Sequence, residues 1–62
     1  MVLYNLYLVL TNEIIKVYDN AAQCIVYEGS SKYIPQELMD ELVHDVKIVK
    51  HINRAYLLIN LN

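Results

Sequence analysis

Glycine, proline and cysteine each occur once in this 62-residue chain, as Gly29, Pro35 and Cys24. Each scarcity closes off a class of chemistry. With a single glycine the chain has neither a glycine-rich loop to cradle phosphate nor the nucleophile elbow of a hydrolase. A self-contained catalytic pocket is therefore not expected, and the chain reads as non-enzymatic. One cysteine cannot close an intrachain disulfide, and no Cys/His ligand spacing is present, so neither a structural metal nor another cofactor is expected. No stretch approaches the roughly 20 apolar residues that span a bilayer. The first residues lack the basic segment and small-residue cleavage site of a secretory signal, which predicts a cytoplasmic address without a membrane partner. Acids outnumber bases seven to five, giving a formal net charge of −2, against tight nonspecific binding of nucleic acid by the domain as a whole.

What is present in quantity is apolar surface. Hydrophobic residues make up 56% of the chain, six of them tyrosines, although a domain this small has little interior in which to hide them. Residues 1–62 form at most one domain. Such a domain buries only about 60% of the surface of its unfolded chain and usually needs a disulfide, a metal or a partner subunit. With the first two excluded, homo-oligomerisation is the expectation. Charge is uneven as well. Residues 1–43 carry Lys16 and Lys32 against Glu13, Asp19, Glu28, Glu37, Asp40 and Glu41, whereas residues 44–62 carry Lys47, Lys50 and Arg54 against Asp45.

Hydropathy periodicity predicts a mostly-β chain. Val2, Tyr4, Leu6, Leu8 and Leu10 share one face of a first strand, with Leu3, Asn5, Tyr7 and Val9 on the other, so this strand is expected to be covered on both sides. Thr11-Asn12 supplies a turn. A second strand over Glu13–Asp19 sets Ile15 and Val17 against Ile14, Lys16 and Tyr18, and a third covers Cys24–Glu28 and closes at Gly29-Ser30-Ser31. Pro35 opens a short helix whose stripe is Leu38, Met39 and Leu42, with Gln36, Glu37, Asp40 and Glu41 near its positive end. Val46 and Val49 can extend that stripe into a long helix reaching about Ile52. The β-branched run Val46, Ile48, Val49 favours a strand there instead. Ile52-Asn53-Arg54 then turns the chain into a last strand, Ala55–Leu61, with Ala55, Leu57, Ile59 and Leu61 on one face. The expected fold is α+β, mostly β: an antiparallel meander sheet of four to five strands with one short helix, in the order β-β-β-α-β-β.

Four constellations carry possible chemistry. Cys24 with His44 and His51 is the sole nucleophile-and-base set, yet Cys24 within Cys-Ile-Val reads as a small packed hydrophobe. Asp40, Glu41, His44 and Asp45 are ligand-type side chains that splay apart if the helix ends near Leu42, leaving a solvated acidic edge. Lys47, Lys50 and Arg54, with His51 and Tyr56, can hold a phosphate backbone while a ring stacks on a base. The same lysines also suit an edge strand protected from aggregation. Finally, Tyr4, Tyr7, Val9 and Tyr18 are candidates for a protein interface, as are the acids Glu37, Asp40 and Glu41, which together with Asp45 can present phosphate-like charge to a basic partner.

The segments Ile15-Lys16-Val17-Tyr18-Asp19, Val26-Tyr27-Glu28-Gly29 and Ile34-Pro35-Gln36-Glu37-Leu38 resemble those of small accessory proteins encoded by phages and mobile elements of Gram-positive bacteria. That resemblance implies a counter-defence role in the bacterial host cytoplasm. The chain would inhibit a host protein such as a CRISPR nuclease through a surface and as a homo-oligomer, in the manner of anti-CRISPR proteins. It carries no functional residue over. At least one small class of anti-CRISPR proteins resembles the oligomeric, β-rich PC4-like DNA-binding fold, which implies DNA binding as the alternative, and for this the basic cluster of the sequence offers Lys47, Lys50, Arg54 and Tyr56. A purely structural oligomerisation module is the third.

Overall fold

The computed structural model describes all 62 residues. It is α+β and mostly β, with a first helix α1 (Leu3–Val9) followed by β1 (Ile14–Asp19) and β2 (Cys24–Ser30). A crossover holding two 3-10 turns, Ser31–Tyr33 and Gln36–Leu38, leads to β3 (Val43–His51) and β4 (Arg54–Leu61). β1–β2 and β3–β4 are antiparallel hairpins, and the sheet order β2-β1-β4-β3 joins them through a parallel pair, β1 with β4. The sheet is therefore mixed, correcting the expected antiparallel meander.

The second correction concerns Val2–Leu10, read as a strand and folded as α1. Both faces of the supposed strand were apolar, so period two discriminated poorly. The segment also carries Leu3, Leu6, Tyr7 and Leu10 at the i, i+3, i+4, i+7 spacing of a helix stripe. Leu3 is fully buried, Leu6, Tyr7 and Leu10 pack on the core, and Tyr4 stacks on Tyr7 one turn on, with ring centroids 6.2 Å apart. A helix of seven residues has little stability of its own. Its first-turn donors are held from outside, since the Leu3 N–H donates to the Glu41 carbonyl (2.8 Å) and the Tyr4 N–H to that of Met39 (2.9 Å).

The third correction is the helix expected from Pro35. Pro35 only precedes the 3-10 turn Gln36–Leu38, and the chain must then run on to Leu42, which bridges to Val2. The crossover spends its residues spanning the sheet, inserting Ile34 and Met39 into the core on the way. The observed order is thus α-β-β-β-β, with the short helix at the start. The segment from Val43 is a strand rather than a long helix, and Ala55–Leu61 lies within β4 as expected, while the expected turn Ile52-Asn53-Arg54 narrows to Ile52-Asn53 because Arg54 already pairs with His51.

All of the core lies on one side of the sheet. Ile15 and Val17 of β1 and Ile59 and Leu61 of β4 meet Leu3, Ile34 and Met39, so α1 and the crossover together form the covering layer. Its far side is uncovered. The thinnest dimension of the molecule is 16 Å, room for one sheet and a single layer at about 10 Å separation but not for a second. No helix is long and apolar enough to cross a membrane.

A set of short polar bonds fixes where the hairpin meets the crossover. The Ser31 hydroxyl, buried to 1% exposure, accepts the Glu13 N–H at 3.0 Å, and the Ser31 N–H donates to the Glu13 carbonyl at 2.8 Å. At the other end of the hairpin the Asp19 carboxylate accepts the N–H groups of Ala21 and Ala22, and Gln23 takes a left-handed φ of 57°.

Candidate functional site

The open face of the sheet is assembled by strand alternation. In β1 it presents Ile14, Lys16 and Tyr18, the residues between the buried Ile15 and Val17. Registers Lys16↔Glu28 and Tyr18↔Ile25 carry the face into β2, and Lys16↔Leu58 and Tyr18↔Asn60 carry it into β4, which therefore adds Tyr56. From β3, Asp45, Lys47 and Val49 pair with Asn60, Leu58 and Tyr56, and His51 with Arg54.

At the end of the face nearest the β3–β4 turn these side chains converge around an open concavity of about 830 Å³, bordered by Lys16, Glu28, His51, Arg54 and Tyr56. All four strands and the β3–β4 turn contribute to it. The Lys16 ammonium lies 4.6 Å from the centre of the Tyr56 ring and 3.8 Å from the Glu28 carboxylate. The His51 ring stacks on Tyr56 with centroids 6.0 Å apart and 27° between planes. The pair is a diagonal neighbour across the hairpin, close enough for rings to meet. Farther along, the Asn60 side-chain amide donates to Asp45 at 2.6 Å.

The basic cluster read from the sequence is divided by this geometry. Arg54, Tyr56 and His51 border the concavity and Lys47 lies on the same face. Lys50 pairs with Ala55, whose alternation with Tyr56 puts both on the opposite face. Lys16 is the cation that sequence reasoning missed. It stands far from Arg54 along the chain and is brought beside Tyr56 by the parallel β1–β4 pairing. Counted by face, Lys16, Lys47 and Arg54 against Glu28 and Asp45 leave the open face at +1. The remaining charged groups leave the rest of the chain at −3.

The interface candidates are scattered. Tyr4, Tyr7 and Val9 sit on α1 rather than on a strand, with Val9 exposed, while Tyr18 is half-buried on the open face. Glu37, Asp40 and Glu41 are exposed in the crossover. The exposed Cys24 opens β2 at one edge of the sheet, whereas His44 and His51 belong to β3 at the other, and three strand spacings amount to about 14 Å. Asp40 and Glu41 lie in the crossover, while Asp45 turns to Asn60, so no three ligand-type side chains gather with His44.

β3 is an edge strand, the setting in which the sequence allowed Lys47 and Lys50 a protective role. Beside its lysines it carries uncovered apolar groups, with Ile48 66% and Val46 39% exposed. Exposed Leu42 and Met1 flank its beginning, where the Met1 carbonyl accepts the Val43 N–H at 2.8 Å. Comparisons with protein-family models, with curated proteins and with solved structures find no match for this chain.

Proposed function

We propose that this chain is a non-enzymatic accessory protein of the counter-defence kind. It acts in the bacterial cytoplasm as a homo-oligomer and inhibits a host protein, such as a CRISPR nuclease, through a surface rather than a pocket. The observation that carries the self-association is the β3 edge, whose outer hydrogen-bonding side is open beyond Val43, where the Met1 carbonyl is bound, beside the exposed Val46 and Ile48. A second copy added antiparallel across a two-fold axis at Val46 sets Asp45 of each chain against Lys47 of the other. Opposite charges then face each other twice, and the two sheets become one of eight strands. A standard interface takes about 800 Å² from each partner, which strand pairing alone does not reach, so Val46, Ile48 and their flanks must pack across the axis too. The host-protein target rests on the resemblance of the three β-strand and turn segments.

Two measurements test the two parts. Light-scattering chromatography should give twice the 7.3 kDa chain mass or more, and Ile48→Glu should reduce it to the monomer. A monomer at all concentrations removes the oligomer. Target cleavage by purified CRISPR nucleases of Gram-positive hosts should slow when the chain is added in stoichiometric excess. Uninhibited cleavage, with no co-elution of chain and nuclease, removes the counter-defence reading.

A further inference from the structure

We infer that the concavity on the open sheet face binds a nucleotide unit of single-stranded nucleic acid. Its phosphate is held between Lys16 and Arg54 and its base stacks on the Tyr56–His51 ring pair. Four observations converge on this. The borders combine two basic side chains with two rings already stacked on each other, the pairing of charge and π-face that strand-binding sheets use. The volume of about 830 Å³ suits a nucleotide, being in the range of small-molecule sites. The site is open rather than enclosed, and the face continues from it through Leu58, Val49 and Tyr18 to Lys47, a path for a strand rather than a closed seat for a free nucleotide. Charge is segregated toward this side, +1 against −3 for the remainder, so a chain acidic overall still offers a polyanion a favourable face.

Lys16 is poised for exchange. Its partner Glu28 is 62% exposed and the contact is 3.8 Å long, an ion pair of the weak surface kind. When a phosphate displaces Glu28, the ammonium moves off the Tyr56 ring and leaves that ring face to the base. Glu28 then opposes binding, so removing its charge should strengthen it.

The inference rests on the sheet and not on self-association or on the host target, and the test keeps them apart. Fluorescence anisotropy of labelled oligo(dT) and oligo(rU) 12-mers is measured at about 50 mM and 200 mM salt against the full chain and five variants, each checked for solution mass and circular dichroism. Affinity should fall steeply with salt, as expected when phosphates are neutralised by Lys and Arg. Lys16→Glu and Arg54→Glu should abolish binding, Tyr56→Ala should weaken it roughly tenfold, and Glu28→Gln should tighten it. Lys50→Glu makes the same charge change on the opposite face and should leave affinity within about twofold. Equal losses in Lys50→Glu and Arg54→Glu would mean general charge attraction and overturn the site. Oligomers that fail to bind the folded chain at low salt overturn it as well, as does thymidine monophosphate binding as tightly as the 12-mer.

Discussion

Gly29 shows how one residue can carry a hairpin. Its φ of +148° is a conformation that L side chains rarely adopt, and a Cβ there would stand 3.2 Å from the Tyr27 hydroxyl. That hydroxyl donates to the Ser30 carbonyl at 2.6 Å, so it cannot yield without losing a bond. Gly29→Ala should cost about 1–3 kcal/mol, read as a lowered midpoint in urea with an unchanged slope. Ser31 is the polar counterpart. Replacing it by alanine leaves the Glu13 N–H without its 3.0 Å acceptor, and the expected loss is about 1–2 kcal/mol by thermal unfolding. Residue-level pattern also held the division of the basic cluster, because Lys47 and Lys50 are three apart and a strand sends such residues to opposite faces. Lys16 was not readable in this way. Its place beside Tyr56 depends on which strands pair, and nothing local in either segment states that.

At the level of elements, the strands announced themselves and the covering layer did not. Ile15 and Val17 alternating with Lys16, and Leu57, Ile59 and Leu61 alternating with Leu58 and Asn60, can satisfy only one face each. Val2–Leu10 was ambiguous because its apolar residues satisfy period two and period 3.6 together. The deciding force is tertiary, since the sheet needs a lid and the Met39 and Glu41 carbonyls need donors, which the first turn of α1 supplies. The crossover departs from its sequence pattern for a related reason. Pro35 and the acids after it are a sound helix start, but a helix rises only 1.5 Å per residue, and residues 31–42 must reach from the end of β2 to the start of β3. If α1 is held by the core rather than by its own propensity, Leu3→Ala should cost about 2–5 kcal/mol. The loss of helical ellipticity should track global unfolding instead of preceding it.

At the level of the whole molecule, the sheet has one face buried, one face bare and one apolar edge. The proposed self-association across β3 makes a specific electrostatic demand. Lys47→Glu, which sets like charge against Asp45 of the second copy, should shift the assembly toward the monomer. The reversed pair Lys47→Glu with Asp45→Lys should restore it, with both read from the concentration dependence of sedimentation. If the double variant is no better than the single one, Val46 is not the two-fold centre.

The parallel pairing of β1 with β4 also governs how the chain acquires its structure. Each hairpin closes over a few residues and can zip on a timescale of about 1–10 μs. Ile15 meets Leu57 only after a loop containing the whole crossover has closed, an entropic cost that precedes any reward from the contact. Docking of the two preformed hairpins is then the kinetic bottleneck. In stopped-flow refolding, truncating Val17 or Ile59 at the central seam should slow the folding arm, whereas truncating Ile25 or Val49 near the sheet edges should mainly speed unfolding.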